Sequence, residues 1–179
     1  MEIITRSWLS RLLKWLTNKL TRSVLVGITE QERAIVRLII RPCVERFPKG
    51  SAELVPCIIG RLRAALRENP YVWVYWYMLG DMYQDIAEWE KALHATQECY
   101  RLCPDARSSY ALSTAQRFLG LNTRDLNLLR DALVGFTRLS QAPISGAERA
   151  SLYNTIETTR KDIIFIEQFI LFYRREGSP

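Results

Sequence analysis

Residues 73–106 read WVYWYMLGDMYQDIAEWEKALHATQECYRLCPDA, and the prolines nearest this run, Pro70 and Pro104, stand 34 residues apart. Trp76, Leu79 and Tyr83 recur at intervals of three and four, which places them on one face of a helix from Tyr71 to about Ile86. A second helix runs from Glu88 to Cys103 and stops at Pro104, which has no N–H to continue it. Gly80 in the first helix and Ala92 in the second are the small residues that let two antiparallel helices approach closely. Trp76, Leu79 and Tyr83 then fill the space beside that contact as core, not as a ligand cage.

With that period, Trp76, Leu79, Gly80, Tyr83, Ala92 and Pro104 resemble one complete repeat of the tetratricopeptide family over Trp73 to Ala106. The flanks resemble it less well. Upstream, Leu62, Ala65 and Pro70 match the second helix of a preceding repeat, but the helix before carries Pro42 and Arg46 where an aromatic and a small residue are usual. Downstream, Tyr110, Ala111, Ala115 and Phe118 suggest a first helix, yet no register places a small residue and a proline correctly in 122–140. One repeat cannot bury its own faces, so the resemblance implies a short all-α solenoid of five to seven helices completed by degenerate neighbours. It also implies an inner face lined by Val74, Tyr77, Asp81, Gln84 and Asp85, suited to a basic or polar segment of a partner protein. The competing reading of that face is plain solvation. The Lys, Arg and Asn with which the family's chaperone-binding members clamp a terminal carboxylate are missing from it.

Outward from the repeat, the remaining chain also reads as helix. Gly27 ends an N-terminal helix, and Thr29 with Glu32 has the form of a capping box that opens a helix through Phe47, with a kink or early break expected at Pro42. Pro48-Lys49-Gly50 is a turn, and Ser51 caps a helix to Glu68 along the ridge Leu54, Ile58, Leu62 and Leu66. Two more helices are expected over 108–119 and 123–140, separated by Gly120-Leu121-Asn122, and a last one from Ala147 to Arg174. The organisation is therefore an amphipathic segment at 1–27, a repeat domain at 28–143, and a terminal helix at 144–179.

The formal charge of +6 is uneven. Residues 1–27 hold Arg6, Arg11, Lys14, Lys19 and Arg22 against Glu2 alone, a net +4, and leave the body near neutrality. The same segment places Trp8, Leu12, Trp15 and Leu16 on one face, with Arg11, Lys14 and Lys19 between them. Three fates are open to it: an anionic membrane surface, a partner protein, or the end of its own solenoid. The last helix is apolar nearly all round from Ile163 to Tyr173. Its Phe165, Phe169 and Phe172 mark an interface, which either the solenoid grips or a second chain covers.

Other chemistries find little support. The body has no continuous basic run, which argues against nucleic acid. No apolar stretch is long enough to cross a bilayer, and no secretory signal is visible. Cys43, Cys57, Cys99 and Cys103 lack paired CxxC spacing and have one histidine, His94, so no metal is expected and a reduced cytoplasmic setting fits best. No phosphate loop, nucleophile elbow or paired catalytic carboxylates occur, so no catalytic residue or cofactor is expected. The sequence reads as a non-catalytic adaptor, scaffold or assembly factor. The alternative is a structural subunit of a larger complex, peripheral on a membrane, held by its terminal helices.

Overall fold

Apolar residues repeating at threes and fours become helices throughout a computed structural model that describes residues 29–48 and 50–176. The described residues form seven helices and no strand: α1 (Glu30–Arg46), α2 (Leu54–Glu68), α3 (Trp73–Asp85), α4 (Trp89–Leu102), α5 (Ala106–Thr123), α6 (Leu126–Ser140) and α7 (Gly146–Glu176). The fold is all-α. The amphipathic segment at 1–27 lies outside the described residues.

Local chemistry explains several boundaries. The Asp105 carboxylate accepts from the Ser108 backbone N–H at 2.9 Å while the Ser108 hydroxyl accepts from the Asp105 N–H at 3.1 Å. This reciprocal cap starts α5 two residues earlier than the periodicity suggests. The expected break at Gly120-Leu121-Asn122 is absent. Gly120 is buried inside α5, where a Cβ would meet Leu129 and the Asp125 carbonyl at 3.0 Å, and the helix ends at Arg124 in the left-handed region, φ 58°. Ser145 and Glu148 form a second reciprocal cap at the start of α7, through bonds of 2.7 and 3.3 Å. Ser51 stands in the turn before α2, whose first residue is Leu54.

Pro42 does not break its helix, since α1 continues to Arg46. An interior proline costs about 3 kcal/mol. Its neighbours offset this: Ile40, Cys43 and Val44 are all buried, and Cys43 is joined to Cys57 of α2 by a disulfide. That bond corrects the expectation of four reduced thiols; Cys99 and Cys103 remain thiols.

Each helix packs chiefly on its neighbours in the chain, with further contacts of α3 to α1 and α5, and of α5 to α7. One apolar core joins α1 to α4 around Ile40, Ile58, Leu62, Met78 and Met82. Phe136, Leu139, Leu152 and Ile156 form another between α6 and α7, which Leu129, Ile163 and Ile166 extend. Between the two halves, Trp89 of α4 stacks on Phe118 of α5 with ring centres 5.3 Å apart.

Candidate partner-binding surfaces

The face expected to hold a partner is only partly open. Val74 and Tyr77 are 2% and 7% exposed and belong to the first core, with Tyr77 edge-on to Trp73 at 6.2 Å. Both are therefore corrected from partner-contacting to structural residues. The reason lies in the position of α3, which is covered by α1, α2, α4 and α5 and so buries more of its surface than one first helix of a repeat would alone. Asp81 and Gln84 are half-buried and Asp85 is exposed. Asp81 and Asp85 already interact within the chain, so the polar remainder of this face is not a row of free charges.

The last helix carries two opposed apolar stripes. Leu152, Ile156, Ile163 and Ile166 are buried, as a stripe at threes and fours packed on α6 must be. On the other side, Ile164 with Leu171 and Phe165 with Phe172 repeat at seven residues, and all four are more than half exposed. Phe169 falls between the stripes: it is half-buried, with the Arg124 guanidinium 4.1 Å over its ring and Tyr173 at 4.4 Å. Of the three phenylalanines expected at an interface, Phe165 and Phe172 face solvent, while Phe169 is partly committed to cation–π contact with α5's C-cap.

A third surface was not foreseen. A groove of about 550 Å³ opens where α2, α3 and α4 meet. Leu66, Leu79 and Ala95 form its buried base, and Trp76 and Tyr83 its aromatic walls. Arg63 and Arg67 of α2 and Lys91 and His94 of α4 complete the lining, which contains no carboxylate. Trp76 is fixed by a 2.8 Å bond from its indole N–H to the Pro70 carbonyl, and its ring lies 5.8 Å from that of His94. Lys91 is tied to Glu88 at 2.9 Å and stands 5.9 Å from the Tyr83 ring centre. The sequence signal was available, since Arg63 and Arg67 are one turn apart on α2 and Lys91 and His94 nearly so on α4. Only the packing of the two helices on α3 brings them together.

The groups with displaced proton affinity have structural duties. Burial, with the nearby Asp105 and Cys103 adding to it, pushes the Cys99 thiol up to about 12, so it stays protonated and unreactive at neutral pH. Burial works to raise Asp105, but the Ser108 N–H and Arg107 outweigh it and hold that carboxyl below its ordinary value. Among the described residues, no three His, Cys, Asp or Glu side chains converge as a metal site. No described helix is long and apolar enough to cross a membrane. No protein-family model matches the chain, and no curated protein does.

Proposed function

We propose that the chain is a non-catalytic protein-interaction module, a small helical adaptor or assembly subunit of tetratricopeptide-like solenoid build, which joins a partner protein through the outer face of α7. One observation carries this reading: four large apolar side chains, Ile164, Phe165, Leu171 and Phe172, stand exposed at heptad spacing on a helix whose opposite stripe is already packed. Water tolerates scattered apolar residues, but a continuous seam of this kind marks an interface. The solenoid build draws support from the α3–α4 hairpin, where Gly80 faces Ala92 and Thr96 as the repeat's signature requires.

Asp81, Gln84 and Asp85 remain a secondary contact for a polar segment, without Val74 and Tyr77. Attachment to an anionic membrane surface through Trp8, Trp15 and the basic residues of 1–27 rests on the sequence pattern alone. The cytoplasmic expectation must accommodate the Cys43–Cys57 bond, because disulfides persist in oxidising compartments and serve redox control in reducing ones.

The test is affinity capture from cells expressing the full chain, comparing it with the F165D/F172D variant. Both positions are exposed, so the variant should melt within a few degrees of the parent while losing its captured proteins. Identical captured sets would overturn the reading.

A further inference from the structure

The groove between α2, α3 and α4 lies away from α7 and has its own chemistry, an apolar base under a cationic rim. We propose that it is a binding site for an acidic peptide segment of a partner protein, one in which Asp and Glu flank a large apolar anchor residue. The argument begins with volume: about 550 Å³ lies within the range of sites that accept a side chain together with its neighbouring backbone. Leu66, Leu79 and Ala95 at the base offer only apolar contact, and the Trp76 and Tyr83 rings flank it, so what enters the centre is apolar or aromatic.

The rim sets the sign of the flanking groups. Arg63 and Arg67 are exposed and, among the described residues, neither has an ion-pair partner, so both guanidiniums are available to an incoming carboxylate. Two guanidiniums one helical turn apart present forked donors that match carboxylates two to four residues apart on an incoming chain. Lys91, which is paired with Glu88, and His94 face them from α4, and no carboxylate lines either bank of the groove, so Arg63 and Arg67 carry most of the charge selection.

The same charge complementarity selects among occupants. The chain's own segment 1–27 carries +4 and would bring its Lys and Arg against Arg63 and Arg67. A single-stranded nucleic acid would meet the aromatic walls, but the closed apolar base gives no return for a sugar–phosphate backbone and suits a hydrocarbon or aromatic side chain. A protein segment with carboxylates around an anchor satisfies both base and rim.

The experiment uses the full chain and fluorescence anisotropy at low salt with three labelled twelve-residue peptides: Asp and Glu around a central Trp-Leu pair, the same peptide with Ser-Ser at the centre, and a Lys counterpart retaining Trp-Leu. The acidic anchored peptide should bind, the other two at least tenfold more weakly. The R63E/R67E variant, altered only at exposed positions, should lose the acidic peptide at least tenfold and gain the Lys counterpart. Equal binding of all three peptides, an unchanged acidic affinity in the variant, or no binding at all overturns the proposal. So does a twelve-residue RNA that displaces the acidic peptide with higher affinity, or recovery of binding only after residues 1–27 are removed, which would make that segment the occupant. Because F165D/F172D leaves the groove untouched, it should bind the acidic peptide like the parent, so failure here and failure at α7 read out separately.

Discussion

Gly80 and Thr96 hold α3 and α4 so close together that a methyl group added at Gly80 would stand 2.8 Å from Cγ2 of Thr96. Thr96 is fully buried, its hydroxyl donating to the carbonyls of Ala92 and Leu93 at 3.0 Å, so it has little room to turn away. Gly80→Ala should therefore destabilise the chain by up to about 2 kcal/mol, overpacking of ~1–3 kcal/mol being offset by a gain in helix propensity near 1. In a Thr96→Ala background the obstructing methyl is gone, and Gly80→Ala should become neutral or stabilising. Urea unfolding of the four proteins of this cycle measures both terms. Equal effects in both backgrounds would mean that Thr96 is not what limits the approach.

The Cys43–Cys57 disulfide ties α1 to α2 across 14 positions. A cross-link closing a loop of that size contributes about 3 kcal/mol by restricting the unfolded chain. Thermal unfolding with and without reductant should show the midpoint falling on reduction, and the C43A/C57A variant should be insensitive to reductant. A parent whose midpoint ignores reductant would show that the bond adds nothing to stability.

The helical class and the α3–α4 hairpin were legible because they rest on local signals: spacing at threes and fours, Gly80 against Ala92, and Pro104 closing the pair. What escaped the sequence depends on how helices are brought together. Nothing near Cys43 or Cys57 announces their pairing, which needs α1 laid against α2. The second hairpin also has a close approach, for a Cβ on Gly135 of α6 would fall 2.0 Å from Oγ of Ser113 on α5. There the glycine is on the second helix and the polar small residue on the first, the reverse of Gly80 and Ala92, so the family's pattern does not show it. Val74 and Tyr77 were assigned to an open face because a single repeat leaves that face bare, and the covering by α1 and α5 was beyond local reading. The groove at Trp76 is the same lesson with the opposite sign, since three helices assemble a surface that none of them displays alone.

Asp105 gives the pH dependence a definite sign. Its carboxyl is held below the ordinary aspartate value of 3.8, so it stabilises the folded chain fully above that value and loses the contribution as pH falls through its lower folded-state value. Asp105→Asn keeps an oxygen for the Ser108 N–H but not the charge opposite Arg107, which bonds Asp105 at 2.8 Å. The stability difference between parent and D105N, measured by urea unfolding from pH 7 to pH 3, should narrow at the acid end. Asp105→Ala also removes the cap and should cost about 1 kcal/mol at neutral pH. A parent–D105N difference that does not change with pH would place the pH dependence elsewhere.

Arg117 of α5 reaches Asp162 of α7 with a 2.7 Å bond from Nε to Oδ2, in surroundings where both side chains are about four-fifths covered. Along the same seam Arg124 lies over Phe169 and Leu121 packs against the cluster of Leu129, Ile163 and Ile166, while α6 packs along much of α7, so the pair is one of several contacts that act on the roll of α7 about its axis. That roll decides which stripe is buried, and hence whether Phe165 and Phe172 face outward. Removing either partner leaves the other charge poorly hydrated, so Arg117→Ala and Asp162→Ala should each cost about 1–3 kcal/mol. The double variant should cost less than the sum of the two by about 1 kcal/mol or more, and the coupling should survive added salt better than that of the exposed Arg160–Glu157 pair. If the roll of α7 depends on this pair, the single variants will also show faster amide exchange at Ile163 and Ile166, whose side chains are packed on α6. Additive losses with unchanged exchange there would assign the orientation of α7 to its apolar stripe alone.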